Sequence, residues 1–153
     1  MSRQHKRILS WAAVVLWATV IFFMSAHTGS DFDGEGPFAV VKRWLVGLVA
    51  PVFGPETDVV NVAAHFSEYL VFGVLLFCAL FQTLQGKPLW AVSLAAIAIA
   101  SLYGVTDEFH QSFVPGRMCD PADWLTDTLG ASLGAISAGA VAAAKRKGRL
   151  ARP

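Results

Sequence analysis

Residues 89–117 read LWAVSLAAIAIASLYGVTDEFHQSFVPGR, and this stretch decides the fold. Residues 89–105 carry no charge, yet Asp107, Glu108, His110, Gln111 and Arg117 then fall within eleven residues. At 1.5 Å rise per residue, about 20 helical residues cross a ~30 Å hydrocarbon core. The uncharged run has that reach, so the polar cluster that follows it belongs to one rim of a membrane span.

The rest of the chain agrees. Of its 153 residues 55% are hydrophobic and only 15% charged, and the mean hydropathy is +0.53. A soluble domain carries about a quarter charged residues, so this composition belongs to a membrane protein. The net charge of +1 gives no case for a nucleic-acid partner. Cys78 sits in an apolar run and Cys119 in a polar loop, which makes neither a disulfide framework nor a metal pattern.

Four spans are predicted, at about residues 8–26, 62–81, 89–109 and 121–144, in a single all-α domain: an integral membrane bundle of four transmembrane helices. Arg3, Lys6 and Arg7 precede the first span, Lys87 joins the second to the third, and Lys145, Arg146, Lys147, Arg149 and Arg152 follow the fourth. Nine of the twelve basic residues therefore fall on one side, which the positive-inside rule makes cytoplasmic, with both termini there. All eleven acidic residues fall in the opposite loops or the opposite ends of spans: Asp31, Asp33, Glu35, Glu56, Asp58, Glu68, Asp107, Glu108, Asp120, Asp123 and Asp127. A cleavable leader at the first span is disfavoured. Its apolar core of about seventeen residues exceeds the usual ~7–15, and Met24 breaks the small-residue cleavage pattern.

The first outer loop is long. It begins with a polar, Gly-rich turn at residues 27–36 and continues with an apolar repeat at Phe38, Val41, Leu45, Leu48, Val49 and Val52. That spacing predicts a short amphipathic or re-entrant helix over residues 37–53, with Trp44 at headgroup level. Lys42 and Arg43 on its other side are solvated charges or contacts for an anion.

Three spans converge on one polar layer. The second brings His65, Glu68 and Tyr69, the third Asp107, Glu108, His110 and Gln111, and the fourth Asp123 and Asp127. Ionisable residues in spans are tolerated mainly where they face a bundle interior or an aqueous cavity. Asp120-Pro121-Ala122-Asp123 reads as a helix start with Asp120 as N-cap. Gly130 and Gly134, with Ala131, Ala138 and Ala142, give the fourth span a face for close helix contact, either within the bundle or with a second copy.

Several stretches are similar to a known family. His65-Phe66-x-Glu68-Tyr69, Asp107-Glu108-Phe109-His110-Gln111-x-Phe113-Val114-Pro115-Gly116-Arg117 and Asp123-x-x-x-Asp127-x-x-Gly130 resemble the VanZ-like family, as does Ser25 at the end of the first span. That family consists of bacterial multi-pass membrane proteins named for one associated with teicoplanin resistance. The resemblance implies a cell-envelope setting, in the cytoplasmic (inner) membrane, and no particular reaction. Thr128 departs from the pattern, which carries Asn there.

Two readings stay open. In one, an enzyme acts on a lipid-linked or envelope substrate, with His65, Glu68, Asp107, Glu108 and His110 as catalytic groups. Clustered carboxyls can divide the roles of acid and base, with a histidine relaying the proton. Tyr69, Gln111, Arg117, Asp123 and Asp127 would bind the substrate, Arg117 holding a phosphate or carboxylate bidentately. In the other, the same groups bind a lipid headgroup, a glycopeptide or a partner protein without turnover. No cofactor is expected. The i, i+3 pairs His65/Glu68 and Asp107/His110 offer a metal site as an alternative. A proton-coupled transporter ranks last, because the cytoplasmic halves of the spans carry no ionisable group.

Overall fold

The computed structural model describes residues 2–27, 37–54, 59–115 and 117–150. The polar turn at residues 28–36, with Asp31, Asp33 and Glu35, lies outside the described residues, as do Glu56, Asp58, Gly116, Arg152 and the side chains of Phe38, Val41, Lys42 and Val49. The described residues form five helices: α1 (Arg3–Ser25), α2 (Pro37–Phe53), α3 (Val59–Thr83), α4 (Leu89–Gln111) and α5 (Pro121–Leu150). Helices α1, α3, α4 and α5 are each long and apolar enough to cross a membrane. All four overrun the apolar stretches that predicted them, because charged and polar residues at their ends continue the backbone ladder.

Local chemistry sets the ends. Asp120 caps α5: its Oδ1 accepts the Ala122 amide at 2.8 Å, and its carbonyl accepts the amides of Asp123 and Trp124. Gly86, at φ +84°, makes the tight turn that reverses α3 into α4, a backbone conformation that side chains disfavour. Helix α2 forms where the amphipathic repeat placed it and ends at Gly54 (φ +92°), shortly after Pro51 removes an amide from its last turn. It packs on α3 alone and leaves Val40, Trp44, Leu48 and Val52 exposed.

Helix α3 is the hub and touches the other four. Its contact with α5 is the most intimate. A Cβ on Gly73 would collide with the Ala131 carbonyl, one on Gly130 with the Phe66 carbonyl, and one on Gly134 with the Leu70 carbonyl. The small-residue face of α5 is thus spent inside the bundle, backbone against backbone. Van der Waals packing of this kind drives association where lipid tails compete equally for apolar side chains.

Hydrogen bonds fix the remaining registers. Trp11 Nε1 donates to Thr83 Oγ1 and Trp17 Nε1 to the Glu68 carbonyl, both at 2.9 Å, which aligns α1 antiparallel to α3. Tyr103 OH donates to the Ala18 carbonyl at 2.7 Å, and Trp124 Nε1 to the Ser101 carbonyl at 3.1 Å. Below the polar layer, Tyr69, Phe72 and Tyr103 pack as an aromatic tier, followed by Leu76, Ala96, Ala100, Ala131 and Ala135. Large apolar side chains such as Leu16, Phe23, Trp90, Leu102 and Phe109 point outward. This inside-out distribution is what a lipid solvent demands.

Gly134→Leu is expected to abolish most of the folded protein, because the clash is with backbone that cannot swing away. Gly47→Ala, which meets nothing within 4 Å, serves as the matched control. Thermal unfolding and folded yield in detergent should separate the two, with overpacking costing at least ~1–3 kcal/mol.

Candidate functional site

The buried stripe of α4 runs Val92, Ser93, Ala96, Ala100, Gly104, Asp107, Glu108 and Gln111. It is small or apolar along most of its length and acidic in its last turn. Gly104 marks the change: a Cβ there would stand 3.2 Å from Trp124 Cδ1, 3.6 Å from Tyr69 Cε1 and 3.7 Å from Asp127 Oδ2. The missing side chain makes room for Trp124 of α5, and Tyr69 of α3 and Asp127 of α5 lie at ordinary contact distance from the same point.

Three carboxyls meet in that space. Oxygens of Asp107, Glu108 and Asp127, one from each, lie within 4.8 Å of one another. Each carboxyl is held on one oxygen. Gln111 Nε2 donates to Asp107 Oδ2 at 3.0 Å and the Asp120 amide to Glu108 Oε2 at 2.7 Å, and His65 Nδ1 pairs with Asp127 Oδ1 at 3.1 Å. The other oxygen of each, Asp107 Oδ1, Glu108 Oε1 and Asp127 Oδ2, is buried with no hydrogen-bond partner among the described residues, and so are the hydroxyls of Tyr69 and Ser25. Tyr69, Gln111 and Asp127 are 0% exposed, Glu108 3%, Asp107 4% and Ser25 5%.

A buried polar atom without a partner costs about 1–3 kcal/mol, more if charged. Two ionised carboxylates at this separation repel by ~3–4 kcal/mol at an effective dielectric of ~20. Shared protons, a cation or donors from a bound molecule would each relieve that cost.

Around the three carboxyls stands a rim. Gln111 Oε1 accepts both Nε and Nη2 of Arg117, at 3.2 and 2.7 Å. The Arg117 guanidinium thereby fixes which end of the amide faces Asp107. His65 lies between Asp127 and Asp123, whose Oδ2 is 3.9 Å from His65 Nε2. Half-buried Glu68 has His65, Asp107, Asp127 and Arg117 as its charged neighbours. The Ser25 hydroxyl approaches Asp107 without completing a hydrogen bond.

All ten residues singled out by sequence thus share one layer in direct contact or close charge range: His65, Glu68, Tyr69, Asp107, Glu108, His110, Gln111, Arg117, Asp123 and Asp127. His110 stands at its edge, within charge range of Asp107, with its ring stacked on Phe22 of α1 at 4.2 Å. The metal set of His65, Glu68, Asp107 and His110 is not the one the fold gathers. Among the described residues, the close set is Asp107, Glu108 and Asp127. Ser25 and Gly104 carry more of the site than their sequence context indicated. Ser25 entered through the family resemblance, and the signal for Gly104 is a glycine inside a helix.

An all-helical bundle of membrane-spanning helices with a buried carboxyl layer at one end defines a multi-pass membrane protein with a polar intramembrane site. Residues 10–142 match the VanZ/LLP1 family, and the chain belongs to it. No curated protein and no solved structure matches the chain at a significant level.

The His65–Asp127 pair is expected to be strongly coupled. His65→Ala leaves a buried carboxyl without its partner and should cost ~3–5 kcal/mol, whereas Asp127→Asn in that background should restore part of the loss. A double-mutant cycle on thermal unfolding checks this, with a coupling of at least ~1 kcal/mol expected.

Proposed function

We propose that this VanZ/LLP1 protein sits in the cytoplasmic membrane with both termini inside. Its carboxyl layer then faces outward and acts on the polar head of a lipid-linked cell-envelope substrate. The carrying observation is the state of the three carboxyls, each anchored on one oxygen and free on the other. Anchoring fixes the geometry, and the free oxygens accept or deliver protons at a bound group. In this reading Asp107, Glu108 and Glu68 serve as acid and base, and His65 sets the proton inventory of Asp127. Arg117 and Gln111 at the rim receive an anionic head, for which the guanidinium fork is suited.

An apolar groove supports the lipid-linked class. It is lined by Val15, Ala18, Phe22, Phe72, Ile99 and Tyr103, among others, and measures about 430 Å³. The groove runs between α1 and α4 at the depth of lipid tails and ends at Phe22, against His110 of the polar layer. A single acyl or isoprenoid chain lying there would present its head to the carboxyls. Helix α2, with Arg43 and Trp44 exposed, would rest in the headgroup region over the same end.

A second reading, binding without turnover, is favoured by one observation. Arg117 is already engaged by Gln111, so the rim is tied into the interior network and suits recognition as well as chemistry. A transporter finds no support in the bundle, whose buried polar residues other than Ser93 all lie in the one layer.

Family membership makes teicoplanin tolerance the phenotype to measure. Expressed in a susceptible bacterium, the wild-type chain should raise the teicoplanin concentration that inhibits growth. His65→Ala, Asp107→Asn and Glu108→Gln should each remove that effect at normal membrane levels. Tolerance of Asp107→Glu and Glu108→Asp would point to binding, since proton transfer depends on placement. Retention of the phenotype by all three disabling variants sinks the acid–base reading.

Orientation has its own test in the native cysteines. Cys119, exposed between α4 and α5, should react with a membrane-impermeant maleimide added to intact spheroplasts, and Cys78, within α3, should not. Labelling of Cys119 only after lysis would invert the topology.

A further inference from the structure

We propose that Asp107, Glu108 and Asp127, with the Tyr69 hydroxyl, form a binding site for one hard divalent cation of the Mg²⁺, Mn²⁺ or Ca²⁺ class. This goes beyond the substrate reading and does not depend on it.

Four observations converge. The first is distance. Oxygens bound to a common cation at ~2.1–2.5 Å lie no more than ~4–5 Å apart, and the three carboxyls supply oxygens within 4.8 Å of one another. The second is the donor chemistry. Carboxylates with a phenol or an alcohol nearby are hard oxygen ligands, which suit Mg²⁺, Mn²⁺ and Ca²⁺ rather than zinc or copper.

The third is the anchoring. Ligating carboxylates are commonly held by hydrogen bonds on the oxygen that does not bind metal. Here one oxygen of each carboxyl has a hydrogen-bond partner, in Gln111, the Asp120 amide and His65, and the other oxygen is buried without one among the described residues. The fourth is a neutral side chain on α3. Tyr69, fully buried, has an unpartnered hydroxyl, and the charges bearing most strongly on it are those of Asp107 and Asp127. The Tyr69 ring and Asp127 Oδ2 flank the same point, 3.6 and 3.7 Å from where a Cβ on Gly104 would stand, and a buried phenol beside a carboxyl normally donates to it. Its failure to do so leaves its oxygen available to a ligand lying between them. The Ser25 hydroxyl, also buried, unpartnered and beside Asp107, closes the layer from α1.

Shared protons are the competing occupant, and direct metal titration separates the two. Full-length protein in phosphatidylcholine nanodiscs, stripped with EDTA, is titrated with Mn²⁺ alone while free Mn²⁺ is read by electron paramagnetic resonance. One Mn²⁺ per chain should bind saturably and be displaced by excess Mg²⁺ or Ca²⁺. Glu108→Gln and Asp127→Asn should each weaken binding at least tenfold, and Gln111→Ala, which removes only an anchor, by about 10–100-fold. Gly47→Ala, which meets nothing within 4 Å, should bind as wild type.

Absence of saturable binding to the wild-type protein overturns the proposal without requiring any variant to fold. So does stoichiometric binding that survives the combined Asp107→Asn, Glu108→Gln and Asp127→Asn substitutions. The measurement uses no substrate, so its failure leaves the envelope reading standing. A protein that binds Mn²⁺ but whose variants keep the teicoplanin phenotype overturns that reading instead.

Discussion

Everything at the polar end depends on how closely α3 and α5 approach. Gly130 lies against the Phe66 carbonyl, and Gly134 against that of Leu70. His65 precedes Phe66 by one residue, and Asp127 precedes Gly130 by three. The contact that holds the two helices therefore also sets the distance from His65 to Asp127, 3.1 Å between Nδ1 and Oδ1. Had α5 carried larger residues there, the helices would stand farther apart, and Asp127 would be a buried carboxyl with nothing to hold it. Packing and polar satisfaction are one constraint in this bundle, because lipid offers neither water nor a hydrophobic drive to replace either.

The same economy appears along α4. Ala96, Ala100 and Gly104 keep the helix near its neighbours, and one turn later the identical stripe presents Asp107, Glu108 and Gln111. Helical periodicity alone would let any polar residue continue that stripe. What makes carboxyls tolerable is their supply of donors from three other sources: an amide one turn along α4, the backbone where α5 begins, and an imidazole on α3. Asp120 links two of these roles. Its side chain caps α5 while its own amide holds Glu108, so the start of one helix becomes a ligand for the end of another.

Much of this was legible in the sequence. The spans, the short helix over residues 37–53, the Asp120 cap and the small-residue face of α5 follow from hydropathy, periodicity and capping chemistry, which are local properties. The choice between internal packing and a second copy for that face needed the fold, since only the facing carbonyls of α3 reveal the fit. Pairing within the polar layer was least legible. Spacing puts His65 with Glu68 and Tyr69, and Asp107 with both His110 and Gln111, and successive helical residues are about 100° apart. That rotation aims Gln111 at Asp107 and turns His110 onto Phe22. Which cross-helix partner a side chain meets depends on helix rotation, which one chain's hydropathy does not determine. Ser25 entered only through resemblance, because a serine at a span end has no distinguishing pattern.

Gln111 shows how the rim and the interior act as one unit. A buried amide has a donor end and an acceptor end, and its neighbours decide which way it faces. Here Arg117 claims the oxygen twice, so the nitrogen is committed to Asp107. If an anion drew the guanidinium away, the amide oxygen would lose both of its donors, and Asp107 alone would hold the side chain in place. A charge arriving at the rim thus changes how firmly a carboxyl in the interior is held, across one side chain and without any helix moving. Two other arrangements would break this link. A fully apolar layer would have no group to respond, and a layer in which every carboxyl oxygen was satisfied would have no oxygen left to engage whatever arrives.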